Sequence, residues 1–259
     1  MQTAQLNKAW DISEIDWSAF DPSKVPQDLV QVISTTALVE SRADMYAEYL
    51  LSVFETKPEW HARIRRWNRE EKQHGQSLSR WSELANPSFD FAKIYKRYID
   101  KVQYHEKNGS SARGSIKNEL VTRCTVEALA SGYYAALYDA HEEPLLQEIC
   151  NRLKQDEARH FSLFYSLLSE LGGVNGLYVF SAFAIVIRRM LELSDEQIIY
   201  AAYCVGDYQA WENSQNTVAS NYFVPLFGTY KEKHARYISR MLLKIFGLEQ
   251  KRFSFVFGN

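Results

Sequence analysis

Glu71-Lys72-Gln73-His74 and Glu157-Ala158-Arg159-His160 decide how this chain folds. Both are Glu-x-x-His. On an α-helix, positions i and i+3 share a face, so the carboxylate and the imidazole of each motif reach one point. Two such helices, joined by a glutamate from each of two others, give four carboxylates and two imidazoles around a pair of cations in a four-helix bundle. Glu40 and Glu127 are the candidates for the single glutamates. Along the chain the order is Glu40, Glu71/His74, Glu127, Glu157/His160: a helix with one Glu, then a helix with Glu-x-x-His, twice over. The first separation is 31 residues (71 − 40) and the third is 30 (157 − 127). The middle one, 56 residues (127 − 71), is long enough for a crossover connection.

These residue types suit that chemistry. Carboxylates are hard, anionic and able to bridge two cations, and imidazole adds nitrogen donors. Four carboxylates in an apolar core cannot all stay ionised unless cations compensate them. Glu127 stands in the almost uncharged run Thr125-Val126-Glu127-Ala128-Leu129-Ala130-Ser131, and Glu40 follows Thr35-Thr36-Ala37-Leu38-Val39. Both are therefore predicted to be buried, whereas a lone Glu-x-x-His is more often a surface pair. Asp44, one turn beyond Glu40, is an alternative ligand or a group behind one. The predicted cofactor is two iron ions, and the same donors serve a Mn/Fe pair.

Outward from these motifs the chain reads as helix. It has 11 Gly and 6 Pro, few breakers for 259 residues, and 46% hydrophobic residues. Residues 1–25 look irregular, with Trp10, Ile12, Ile15, Trp17 and Phe20 packing this arm onto the body. One long helix is predicted over about 26–54, then helices over about 59–84, 91–106, 115–140 and 144–171. Residues 105–115 form the most flexible stretch, and Gly172-Gly173 stops the last of these helices. Further Tyr- and Phe-rich helices occupy about 174–248, capped near Ser194-Asp195-Glu196. The tail 252–257 alternates polar and aromatic residues, as a short strand or a packed arm would. The expectation is an all-α fold of one domain spanning 1–259: a metal-binding bundle over about 26–171 and accessory helices over about 174–248.

Composition excludes several functions. Thirty Lys and Arg balance 32 Asp and Glu, for a formal net charge of −2, so no basic field invites nucleic acid. Cys124, Cys150 and Cys204 are isolated, which suits a reducing compartment. The polar N-terminus lacks a signal core, and the most apolar stretch, 176–190, is too short for a membrane span and is interrupted by Arg188 and Arg189. A soluble cytoplasmic protein is expected, with no membrane and no nucleic-acid partner. No Gly-x-Gly-x-x-Gly, Walker or Gly-x-Ser-x-Gly motif is present. His105, His141 and His234 lack partners at ligand spacing and read as surface residues. His61, Arg63, Arg65, Arg66 and Arg69 form a basic stretch, either a solvated helix face or a dock for an acidic protein. Tyr133, Tyr134, Phe161, Phe164 and Tyr165 read as core or as channel lining.

Trp67-Asn68-Arg69-Glu70-Glu71-Lys72-Gln73-His74-Gly75 resembles the Trp-x-x-Glu-Glu-x-x-His-Gly helix of the acyl-carrier-protein desaturases, members of the soluble ferritin-like di-iron oxygenases. Asp156-Glu157-Ala158-Arg159-His160 is similar to their Asp-Glu-x-x-His. The helix order extends the resemblance loosely over about 35–171. It implies a ferritin-like bundle in which Glu71, His74, Glu157 and His160 ligate metal and Glu40 and Glu127 complete the set. Asp156 would accept a hydrogen bond from the non-ligating nitrogen of His74, a role that fixes the ring; its other reading is a solvated surface acid. Gly75 would mark close helix packing or a tolerated glycine, and Trp67 a redox path or a core residue.

The implied activity is a dioxygen-activating di-iron oxidoreductase that attacks an unactivated C–H bond of a fatty acyl chain. The implied partners are an external electron donor such as ferredoxin, an acyl carrier protein and a second copy in a homodimer. The chain departs from the pattern at Ala130, with Ser131 beside it, where these desaturases place a Thr one turn after the third ligand. Aldehyde-deformylating oxygenases and tRNA hydroxylases have similar ligand layouts and are the alternative oxygenases. A ferroxidase or peroxide-scavenging bundle is the other class, and the extra helices over 174–259 weigh against it.

Overall fold

In the computed structural model the described residues are 10–102, 109–192, 196–206 and 208–248. His105, Ser194-Asp195 and the alternating tail lie outside them. The described residues form α-helices joined by turns and short 3-10 segments, with no strand among them.

Four long elements carry the two motifs and the two single glutamates. They are α1 (Val30–Glu40), α3 (His61–Ala85), α5 (Ile116–Tyr138) and α6 (Pro144–Glu170), with α2 (Ala43–Val53) between α1 and α3. Their inward residues recur in alternating steps of three and four. On α3 these are Ile64, Trp67, Glu71, His74, Leu78 and Trp81, and on α6 Leu146, Cys150, Leu153, Glu157, His160, Phe164 and Leu167, all buried. On α5 the same steps give Leu120, Cys124, Glu127, Ser131 and Tyr134. This near-3.5 period is the packing seam of a helical bundle. The glutamates and histidines thus occupy core positions, and the apolar residues on either side form two blocks. One block gathers Leu50, Phe54, Trp60, Ile64, Trp67, Phe164 and Leu167. The other gathers Ile33, Leu78, Trp81, Leu145, Ile149 and Leu153.

The expected single helix over 26–54 is two helices. The carbonyl of Ser41 accepts a hydrogen bond from the Tyr95 hydroxyl at 2.8 Å, which takes it out of the helical ladder. Arg42 then turns its guanidinium to Tyr98 and Gln197, at 3.1 and 2.9 Å. The break faces Gly75: a Cβ there would stand 2.6 Å from Ser41 Oγ and 3.0 Å from Ser41 N. Close packing, not tolerance, explains that glycine. The helix expected over 91–106 is shorter, α4 (Phe91–Ile99).

His141 and His234 are a second correction, since both are buried. His234 stands 2.7 Å from Asp139 through Nε2 and accepts the Lys231 N–H on Nδ1, so it joins the end of α5 to the segment at Lys231. His141 accepts the Glu143 N–H at 3.2 Å. His141 sits in a turn and His234 in the first turn of a helix, where backbone groups need partners, a signal that ligand spacing does not contain.

The arm behaves as expected. Asp11, Asp16 and Asp21 each accept the N–H of the serine two residues on, giving three short 3-10 turns. Trp10 and Ile15 are buried against the Trp81 block, with Ile12, Trp17 and Phe20 packed beside them. Glu143 caps α6 from a fully buried position, accepting from Leu145 N, Leu146 N, Trp81 Nε1 and Asp21 N.

Beyond α6 come α7 (Tyr178–Leu191), α8 (Glu196–Val205), α9 (Trp211–Gly228) and α10 (Glu232–Ile245). Helices α7 and α10 pack on α5, while α8 and α9 pack on α1. No helix among the described residues is long and apolar enough to cross a membrane.

Gly75→Ala should destabilise the fold by about 1–3 kcal/mol, because the new methyl overpacks the α1–α3 crossing. Urea denaturation of the two proteins measures it, and an unchanged midpoint would show that Ser41 moves aside freely.

Candidate metal centre

The bundle brings all six sequence candidates to one place. Donor atoms of Glu40, Glu71, His74 and Glu157 lie within 4.8 Å of one another, as do those of Glu71, Glu127, Glu157 and His160. Glu71 and Glu157 belong to both groups. The set is therefore two overlapping donor groups, each with its own glutamate and histidine and with two carboxylates common to both. Asp44 is not part of it: it is exposed on α2 and takes Asn68 and Lys72, each at 2.8 Å.

The two imidazoles are held from behind by a reciprocal exchange between helices. His74 on α3 meets Asp156 of α6 through Nε2 at 3.1 Å. His160 on α6 meets Glu70 of α3 through Nε2 at 2.9 Å. Each histidine is thus oriented by the acid that precedes the other helix's Glu-x-x-His. An Nε2–H donated to a carboxylate leaves Nδ1 with its lone pair directed at the centre. There His74 Nδ1 lies 3.1 Å from Glu157 Oε1, and His160 Nδ1 lies 2.9 Å from Glu71 Oε1. These four buried atoms make no hydrogen bond. Orphaned buried donors that converge in this way fit metal ions.

A third layer surrounds the outer acids. Asp156 accepts from Trp10 Nε1 at 2.8 Å and from Arg159 Nη1 at 2.5 Å. Glu70 accepts from Arg66 Nε at 3.0 Å and from Arg159 Nη2 at 3.4 Å. The acceptor role expected of Asp156 is present in the geometry, and the surface alternative is excluded because the residue is buried. Glu70, Trp10, Arg159 and Tyr134 were not anticipated. Glu70 had a signal, since Glu70-Glu71 repeats the acid-before-motif pattern of Asp156-Glu157. Tyr134 had none: its hydroxyl donates to Glu40 Oε1 at 2.5 Å across a fold contact.

The electrostatics follow from burial. Desolvation, then the charges of Glu71 and Glu157, push Glu40 well above the usual carboxylate range. Desolvation, then Glu157 and Glu71, does the same to Glu127. For Glu157 burial also works upward, but the His160 and His74 contacts win and hold it far below. Burial works downward on His74 and His160, yet Asp156 and Glu157 raise the first and Glu157, Glu70 and Glu71 the second. Glu70 falls to about 2 against its burial, through His160 and Arg66.

Two openings adjoin the cluster. A cavity of about 210 Å³ reaches Glu40 and is lined chiefly by apolar residues of α1, α5, α8 and α9, with Thr36, Tyr133 and Arg189 among its polar groups. Ala130 is part of its wall, while the Ser131 hydroxyl turns away to Lys154 O and the Tyr237 hydroxyl. Of the five aromatics weighed earlier, Tyr133 lines this cavity, and Tyr134, Phe161, Phe164 and Tyr165 pack in the core. On the opposite side a cleft of about 710 Å³ lies between α3 and α6, bordered by Arg63, Arg66, Trp67, Glu70, Arg159 and His160. Trp67 packs edge-on to Phe164 and to His160, with centroids 5.6 and 6.4 Å away. The basic stretch is partly neutralised, since Arg63 pairs with Glu170 at 2.7 Å and Arg66 with Glu70.

Fold and site together define an all-helical protein with a buried carboxylate–histidine cluster that could hold metal beside an apolar cavity. The chain belongs to the fatty acid desaturase family, whose pattern matches residues 21–202. That makes it an oxidoreductase of fatty acid metabolism. No curated protein and no solved structure matches it. The matched region includes every residue of the cluster and stops before α9 and α10.

Asp156→Asn and Glu70→Gln should each weaken Co(II) binding by about 10- to 100-fold while the helical circular dichroism stays unchanged. Undiminished metal affinity in both variants would remove the orienting role assigned to these two acids.

Proposed function

We propose that this protein is a di-iron oxygenase of the ferritin-like, acyl-carrier-protein-desaturase type, acting on an unactivated C–H bond of a fatty acyl chain. The observation that carries the proposal is the double donor set sharing Glu71 and Glu157, with unpartnered His74 Nδ1 and His160 Nδ1 aimed into it. Glu40 and His74 complete one iron position, and Glu127 and His160 the other. Iron bound there supplies dioxygen activation and hydrogen abstraction, driven by electrons from an external donor such as ferredoxin.

The chain's own groups do the rest. Asp156 and Glu70 keep the Nε2 protons and so leave both Nδ1 atoms free to ligate. The apolar blocks above and below the cluster exclude water, which strengthens every charge interaction within it. Tyr134 holds one oxygen of Glu40, the ligand that borders the cavity, so this carboxylate keeps its position as substrate enters. The apolar cavity suits an acyl chain, and Ala130 adds only a methyl group to its wall. The cleft between α3 and α6, bordered by Arg63, Arg66 and Arg159, suits an acidic electron donor, which reaches His160 and Glu70 from outside.

Anaerobic loading with Fe(II) should give a pair of irons per chain, and Glu157→Ala should lose at least one of them; full occupancy in the variant would sink the ligand assignment. Admitting oxygen with reductant and an acyl substrate should yield a dehydrogenated or hydroxylated chain. Oxygen consumption with no substrate effect would move the protein to ferroxidase chemistry.

Metal loading should also release protons. Glu40, Glu127, His74 and His160 are all raised and hold protons before iron arrives, so affinity should rise with pH as those protons become easier to displace. Titration calorimetry in two buffers of different ionisation enthalpy reads the proton count directly.

A further inference from the structure

Among the described residues, one buried cation of the core has no counter-ion. Arg123 on α5 is 8% exposed, and its Nε is buried without a partner. It makes no hydrogen bond or ion pair with any described residue, and its contact is with the Tyr46 ring, 5.4 Å from the guanidinium carbon. Both carboxylates at helical spacing are engaged elsewhere. Glu127, four residues on, turns into the metal cluster. Glu119, four residues back, takes the hydroxyls of Tyr49 and Ser111, each at 2.7 Å.

A second arginine shares this environment. Arg189 of α7 lines the apolar cavity that reaches Glu40. The carboxylate nearest to it in ion-pair range is Glu192, at 4.0 Å. That carboxylate already receives Arg113 on both oxygens, at 2.9 and 2.8 Å, and Arg188 at 3.0 Å. Burial and then the Arg123 charge press on Arg189, lowering its pKa. Arg123 lies one turn before Val126 and Glu127 on the α5 face that carries the cavity-lining Val126, Ala130 and Tyr133. Burying unneutralised cations is costly unless an anion completes them.

We propose that Arg123 and Arg189 bind the carboxylate of an unesterified fatty acid, whose chain lies in the apolar cavity leading to Glu40. The substrate named in this way rests on the C–H oxidation reading above, but the binding itself needs no iron. Guanidinium presents a planar fork that matches a carboxylate. An ester or thioester carbonyl at this point is uncharged and would leave Arg123 unneutralised and Arg189 with only the shared Glu192. Because Arg189 is itself a wall of the cavity, the anion it meets is attached directly to the chain that fills the cavity, not carried at the far end of a long arm.

The test compares octanoate, methyl octanoate and inorganic phosphate as ligands of the full-length protein by titration calorimetry. Octanoate should bind at least about tenfold more tightly than its methyl ester. Arg123→Gln and Arg189→Gln should each remove about tenfold or more of the octanoate affinity and leave the ester unaffected. Equal affinity of acid and ester for the unmutated protein overturns the proposal, whether or not the variants fold. Phosphate binding that Arg123→Gln abolishes, with octanoate indifferent to both substitutions, also overturns it and assigns the site to a phosphorylated carrier arm. Iron content measured on the same samples separates the two readings. Octanoate selectivity in a protein that takes up no iron supports this site and removes the oxygenase. Iron uptake without selectivity does the reverse.

Discussion

Four glutamates inside one helical core repel one another, and much of this structure answers that repulsion. At an effective dielectric constant of about 20, two unit charges 4 Å apart cost about 4 kcal/mol. Glu40, Glu71, Glu127 and Glu157 contain several such pairs. The response is layered. Imidazoles stand against the inner carboxylates, Asp156 and Glu70 stand against the imidazoles, and Arg159 spans the two outer acids. Sign alternates from the centre outward, and cations held at the centre would complete the series.

The exchange of partners between α3 and α6 makes this more than a local arrangement. His74 depends on an acid of α6, and His160 on an acid of α3, so neither Glu-x-x-His is complete on its own helix. The dependence extends further. Trp10, from the arm that precedes α1, holds Asp156, and the buried Glu143 ties that arm to Trp81 and to the start of α6. Orientation at the centre is therefore a property of the assembled bundle, held at each step by a buried hydrogen bond that would be costly to break.

The side that would receive a substrate has a mixed origin. The cluster lies wholly inside the region matched to the fatty acid desaturase family, but Tyr222, Phe223, Leu226, Phe227 and Tyr230, which close the cavity, lie beyond residue 202. Arg189, also in the cavity wall, comes from α7. The chamber thus joins residues of the cluster-bearing helices α1 and α5 to residues of α9 that lie outside the matched region.

The helices and the cluster residues were legible in the sequence, because both rest on spacing. A three-and-four period declares a buried helical seam, and Glu-x-x-His on that seam puts donors at one level; α3, α5 and α6 and all six cluster residues follow from this. Asp156 was legible through its resemblance, and Glu70 would have been had the acid before each motif been compared. What the sequence could not supply were contacts between residues distant along the chain. The α1–α2 break depends on Tyr95, the fixing of Glu40 on Tyr134, and the burial of His234 on Asp139. Likewise the isolation of Arg123 appears only once Glu119 and Glu127 are seen to face other partners. Local spacing determines which face a side chain shares, but only the packed structure decides which groups meet across that face and which charges are left without a partner.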